Sequence, residues 1–209
     1  MIATTYPEIR ALIQPGDIFA FSGNGFISSG IKLFTHSPIS HVGIVLETKL
    51  SIYDDPQPGR IIQLIESTTL NGRKGVQINR LSERIENYDG EVWWTPLSDE
   101  LRERCDWVRF YDYLLKQVGK AYDYNEVGGM TVRRLSKIPF LGRLFTNPRN
   151  SDKFYCSELA CSALQRAGAI DQDVNYSEIA PQDLMQMKLY RGAYQVKGKS
   201  LEIPRFNTL

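Results

Sequence analysis

Residues 154–168 read FYCSELACSALQRAG, and their spacing predicts the clearest helix of the chain. Leu159, Ala160, Ala163, Leu164 and Ala167 fall on one face, and Gly168 stands where a helix ends on a left-handed residue. What precedes this helix decides the fold class. Asp17–Phe21, His41–Leu46, Ile61–Glu66, Gly75–Ile78 and Glu91–Trp94 are short apolar runs, most of them set off by Gly, Pro, Asn or Asp, and they read as strands. Between the last two lies a polar link. Residues 100–118 place Trp107, Phe110, Tyr111, Leu114, Leu115 and Val118 on a helical stripe. A short helix over 8–13 stops at Pro15-Gly16. Another starts near Pro181, since proline suits the first helical position, and 190–196 is a weak final strand. Strands first and helices later predict an α+β domain rather than an alternating doubly wound sheet.

Length and composition agree with that reading. At about 150 residues per domain, 209 residues give roughly 1.4, hence one domain over 1–209. A hydrophobic fraction of 42% excludes a disordered chain. Twenty-five basic against 24 acidic residues leave a net charge of +1, so no global field for nucleic acid is expected. No apolar stretch reaches the ~18 residues of a membrane-spanning helix. The N-terminus MIATTYPEIRALIQPGD lacks a basic segment followed by an apolar one, so no signal peptide and a cytoplasmic location are expected. The three cysteines, Cys105, Cys156 and Cys161, are scattered, which is no disulfide framework.

One of these cysteines has a distinctive position. Cys156 lies at the start of the predicted helix, where backbone N–H groups and the helix dipole favour a thiolate and can hold an oxyanion. The alternative is a small buried apolar side chain, which is how Cys161, near mid-helix among alanines, is read. Cys105 is assigned no role. Of the two histidines, His41 opens an apolar strand and is placed to face a cleft from a rigid element, unless it is a hydrogen-bonded core or surface histidine. His36 sits in a Thr/Ser/Pro turn and reads as a loop residue. A Cys–His pair needs a third group to orient the imidazole. Glu66, ending the run Ile61–Ile65, is the candidate, the alternative being a strand-end residue turned to water. There is no CxxC, HExxH or HxxxH spacing, no GxxxxGK[ST] loop and no GxGxxG after a strand, so neither a metal nor any other cofactor is expected.

Taken in order, several segments resemble one family. They are Pro15-Gly16-Asp17 with the following strand, Thr35-His36-Ser37-Pro38-Ile39-Ser40-His41-Val42-Gly43-Ile44-Val45, and Leu64-Ile65-Glu66-Ser67 with Gly75-Val76. Gly119-Lys120-Ala121-Tyr122-Asp123, Phe154-Tyr155-Cys156-Ser157-Glu158-Leu159 and Ile179-Ala180-Pro181-Gln182-Asp183-Leu184 complete the set. Over residues 15–185 the chain resembles the circularly permuted, papain-like branch of the NlpC-type cysteine peptidase superfamily, close to the YiiX-like proteins. The order His41, Glu66, Cys156 is the permuted one. The resemblance implies an antiparallel sheet packed against helices, with the catalytic cysteine at a helix N-terminus. It implies Cys156 as nucleophile, with its own backbone N–H in the oxyanion hole, His41 as base and then acid, and Glu66 as the residue orienting His41. Tyr122 and Asp17 fall in its motifs as candidate substrate-binding residues. Glu158 either complements the helix dipole or touches the site.

The expected activity is a thiol hydrolase cleaving a peptide or isopeptide amide through an acyl-enzyme on Cys156. The expected substrates are a small peptide, a cell-wall-derived fragment or a lipid. A lipid acyl hydrolase or acyltransferase on the same scaffold is the alternative, and a non-catalytic binding module is the second. The lipid alternative draws on a departure from the family pattern, an insertion at about 127–153. It carries Arg133, Arg134, Lys137, Arg143, Arg149 and Lys153, interleaved with Ile138, Phe140, Leu141, Leu144 and Phe145. Such a segment either touches a membrane surface through 130–153 or packs on its own apolar residues with a solvated basic rim.

Overall fold

The computed structural model describes residues 2–23, 38–51, 59–120, 154–176, 179–199 and 202–209. His36, Tyr122 and the insertion 127–153 lie outside the described residues. The described elements are β1 (Ile2–Ala3), α1 (Tyr6–Ile9), β2 (Ile18–Gly23), β3 (His41–Ser51), β4 (Gly59–Leu70), β5 (Arg73–Arg80), α2 (Leu81–Glu86), β6 (Gly90–Thr95), α3 (Asp99–Arg104), α4 (Trp107–Gln117), α5 (Phe154–Ala167), α6 (Pro181–Gln186) and β7 (Tyr194–Lys197).

The described strands form one seven-stranded sheet in the order β1-β7-β6-β2-β3-β4-β5. Neighbours pair antiparallel except β1 with β7, which run parallel. The sheet is therefore mixed, where an antiparallel one was expected. A parallel pair needs a long crossover, and here nearly the whole chain lies between the two partners. The architecture is α+β, as the element order predicts.

Three strands outrun their apolar runs by four residues or more. β4 and β5 continue to a two-residue turn, Asn71-Gly72, with φ of 51° and 75°. Positive φ at both central residues gives the twist that antiparallel strands need, so the pair extends the ladder to Leu70 opposite Arg73. β3 continues past a bulge between Val45 and Glu47. The helical stripe over 100–118 is two helices. Asp106 breaks it by accepting from the Arg109 N–H at 3.0 Å, and so caps α4. The polar link before β6 contains α2, whose Leu81 and Ile85, one turn apart, are buried.

Alternation along the strands gives the sheet two apolar faces. Ile18, Ala20, Val42, Ile44, Ile65 and Trp93 form one cluster with Leu159, Ala160, Ala163 and Leu164 of α5. Phe19, Phe21, Val45, Leu64 and Trp94 form the other with Leu81 and Ile85 of α2. The end of α5 is closed as its sequence predicts: Gly168 has φ 85°, its N–H donates to Gln165 O at 3.0 Å, and the Ala169 N–H donates to Leu164 O at 2.9 Å. Among the described residues no helix is long and apolar enough to cross a membrane.

Candidate active site

Cys156 occupies the first turn of α5, where the backbone N–H groups have no carbonyl four residues back. The next residue fixes that turn, since Ser157 Oγ donates to Ile179 O at 2.6 Å. His41 is the first residue of β3, opposite Phe21 of β2, and its ring centroid lies 5.5 Å from that of Phe21. Glu66 lies on β4. Gly43 stands two residues along β3 from His41, and a Cβ there would come within 2.7 Å of the Leu64 side chain on β4, which would have to shift.

These elements bring the three sequence-predicted residues together. His41 Nε2 lies 2.5 Å from Glu66 Oε2. His41 is also hydrogen-bonded to the Cys156 side chain. With Nε2 on the carboxylate, Nδ1 is the nitrogen left for the thiol. All three are buried: Cys156 is 1% exposed, His41 7% and Glu66 0%.

Two further side chains complete the carboxylate, and sequence reasoning does not find them. Glu66 Oε1 accepts from Asn79 Nδ2 at 2.9 Å and from Arg84 Nε at 2.8 Å. Asn79 stands two residues beyond Gln77, the β5 partner of Glu66, and so shares its face. Arg84 comes from α2. Its guanidinium lies 4.9 Å from the ring centroids of both Phe21 and Tyr88. Tyr88 is hydrogen-bonded to the Ser40 side chain. The Leu81–Ile85 spacing is the only sequence signal for this helix, and nothing local points Arg84 at Glu66.

The burial and the partners work against each other. Burial alone would push the Glu66 carboxyl up, but His41 and Arg84 outweigh it and hold it down at about 2. Burial alone would push His41 down, but Cys156 and Glu66 outweigh it and raise it to about 9. The stability consequence has a defined sign. Glu66 stabilises the fold fully above its ordinary value of 4.5, and that contribution is lost as pH falls towards 2. His41 stabilises it fully below 6.5, and that contribution is lost as pH rises towards 9. The pair thus contributes most between those two ordinary values. The difference in thermal midpoint between the wild type and His41→Gln is expected to be flat there and to shrink on the alkaline side. A difference that grows above pH 7 would contradict this pairing.

Asp17 is not brought to this site. It is fully buried, and its carboxylate accepts from Gln14 N–H at 2.9 Å, Trp94 Nε1 at 2.9 Å, Leu97 N–H at 3.0 Å and Arg102 at 2.5 Å. Its carbonyl pairs with Val45 N–H at 2.8 Å, four residues or about 13 Å along β3 from His41. Its burial and its partners among the described residues give the substrate-binding expectation no support. Asp17 stands just before Ile18, at the end of the β2–β3 ladder opposite to the Phe21–His41 pair. Glu158 is half-buried; burial raises its carboxyl, and its charge acts on Tyr113 of α4 and on Cys161. Cys161 is core, with burial pushing its thiol up to about 12.

No family model and no curated protein matches the chain. Among solved structures, the chain is similar to the crystal structure of metalloprotein yiiX from Escherichia coli O157:H7, DUF1105. The TM-score is 0.51 and the identity 16%, over 89% of this chain and 97% of that one. At this identity the likeness is one of fold: the mixed seven-stranded sheet with its helices is YiiX-like in architecture.

Proposed function

We propose that this protein is a thiol hydrolase that cleaves an amide bond through an acyl-enzyme on Cys156. The observation that carries the reading is the buried series Cys156, His41, Glu66, with the thiol in the first turn of α5. In the first half-reaction the thiol proton passes to His41, Sγ attacks the substrate carbonyl carbon, and the carbonyl electrons move to oxygen. Backbone N–H groups at the start of α5 are placed to stabilise that oxyanion. The C–N bond then breaks as imidazolium His41 gives its proton to the leaving amine. In the second, His41 takes a proton from water, hydroxide attacks the thioester, and the acid leaves as the proton returns to sulfur. Glu66 accepts from His41 throughout and does not itself transfer a proton.

The permuted papain-like assignment belongs to this proposal and is supported by the order His41, Glu66, Cys156. The preference for an amide over an ester rests on the same resemblance. The segment that favours a lipid, 130–153, lies outside the described residues. The metalloprotein description belongs to the yiiX structure. Among the described residues here, no three His, Cys, Asp or Glu side chains gather as a metal ion needs. Glu66, the carboxylate on His41, already carries the guanidinium of Arg84 on Oε1. A cation there would meet a like charge, so no step is routed through a metal.

The reading is tested with iodoacetamide at pH 6 and, in separate samples of unmodified protein, with γ-glutamyl peptides, muropeptides and phospholipids, each mixture analysed by mass spectrometry. Cys156 is expected to be alkylated well ahead of Cys105, and a peptide-derived acyl adduct is expected on Cys156 alone. A thiol that stays closed to the reagent sinks the reading as surely as an unreactive one, because a hydrolase must admit its substrate. A phospholipid acyl adduct in place of a peptide one would move the reaction to the lipid class.

A further inference from the structure

The carboxylate beside His41 is divided between its two oxygens. Oε2 faces the imidazole, while Oε1 takes both Asn79 and Arg84. A glutamate has three side-chain torsions, and a buried carboxylate with an open oxygen would turn to satisfy it. Here Oε1 is filled, so Oε2 stays on the imidazole.

We infer that Arg84 is a positioning residue: packed against Phe21 and Tyr88, it occupies Oε1 of Glu66 and thereby fixes the other oxygen on His41. This rests on the thiol-hydrolase reading above for its functional meaning, but not for its geometry.

The surroundings of Arg84 argue for this role. Its side chain is 9% exposed, so its charge is desolvated and needs a partner, which Glu66 supplies. The flat guanidinium lies against two rings and still donates Nε in its own plane, which a lysine ammonium cannot do. Phe21 and Tyr88 also touch each other, with centroids 5.0 Å apart. Both reach the histidine strand. Phe21 pairs with His41, and its carbonyl accepts from the N–H and Oγ of Ser40 at 2.9 and 3.3 Å. Tyr88 holds the same Ser40 side chain. The path from Arg84 to His41 is therefore closed twice, through Glu66 and through the edge-to-face pair of rings. Opposite charges adjoin along it: imidazolium, carboxylate, guanidinium.

The groups facing Glu66 are His41 from β3, Asn79 from β5 and Arg84 from α2, with the Tyr88 phenol beyond Arg84. Only Arg84 carries a charge that no reaction step changes. Its removal is read most directly at the carboxylate. With carbon-13 glutamate labelling, and Glu66→Gln to identify the resonance, Glu66 is expected to titrate about 1 to 3 pH units higher in Arg84→Met than in the wild type. Thiol alkylation at pH 6 is expected to fall several-fold in Arg84→Met and less in Arg84→Lys, which keeps the charge but loses the planar contact. In a Glu66→Gln background, Arg84→Met is expected to change the alkylation rate no further. Should Arg84→Met fail to fold, Arg84→Lys carries the test, with a smaller upward shift expected. A Glu66 titration unmoved in the folded variant overturns the inference, as does a fall in alkylation that persists in the Glu66→Gln background. If the wild-type thiol is unreactive, the hydrolase reading fails, yet the carboxylate titration still decides whether Arg84 holds Glu66.

Discussion

Cys156→Ala is expected to lower turnover of any accepted substrate by at least about 10^3-fold and to abolish the acyl adduct, with little change in thermal midpoint. The size follows from the mechanism. Without sulfur no thioester forms, and only binding and the N–H groups at the start of α5 remain. The small stability effect follows from position. Cys156 is one small member of the buried α5 cluster, so alanine loses one sulfur atom's contacts and keeps the helix. The His41 ring remains on Glu66, because that bond does not involve the thiol. Turnover that survives in Cys156→Ala would remove the covalent mechanism. Turnover lost together with the fold would show instead that the thiol is structural.

Asp17→Asn is expected to do the reverse. The substitution keeps the volume but replaces one carboxylate oxygen by an N–H₂ group. Donors from Gln14, Trp94, Leu97 and Arg102 converge on those two oxygens, so an N–H₂ there faces at least one donor with nothing to accept it. Arg102, with a side chain 14% exposed, loses its counter-charge. Breaking a buried pair on one side costs about 3–5 kcal/mol, a large share of the ~5–15 kcal/mol that a domain has in total. The urea midpoint is expected to fall accordingly, while kcat/KM per folded molecule stays at the wild-type value. A change in kcat/KM with the midpoint unmoved would return Asp17 to the cleft. Burial also raises the Asp17 carboxyl against the pull of Arg102, so desolvation, more than the ion pair, sets its chemistry.

The legible and illegible parts of the molecule divide by range. α5 was readable to its last residue, because its apolar face and Gly168 are local signals. The runs at 17–21, 41–46 and 91–94 were readable as strands because they are buried and continuous. The full reach of β4 and β5 depends on Asn71-Gly72, a turn signal that apolar pattern alone passes over. The break between α3 and α4 depends on a single carboxylate, Asp106, competing successfully for a backbone N–H. At the site, the residues with chemistry of their own, Cys156, His41 and Glu66, stand out by type and by place on an element. Arg84 and Asn79 do not. Each has an ordinary polar neighbourhood in sequence, and its partner is set by the β4–β5 register and the docking of α2. Asp17 stood out by its motif, but its partners Trp94, Leu97 and Arg102 lie far along the chain and did not.

The origin of the site's parts along the chain has a consequence in time. His41, Glu66, Asn79, Arg84 and Tyr88 all fall in the stretch β3-β4-β5-α2 and the residues flanking it, and its strands pair with their sequence neighbours. Cys156 arrives much later, on a helix that contacts β3 and β4. Short-range pairings form fastest, and a ribosome delivers roughly 5–20 residues per second. The imidazole, its carboxylate and the guanidinium behind it can therefore assemble seconds before the thiol exists to meet them. A nascent chain passes through synthesis with its base built and its nucleophile absent, and reactivity is switched on only by the docking of α5.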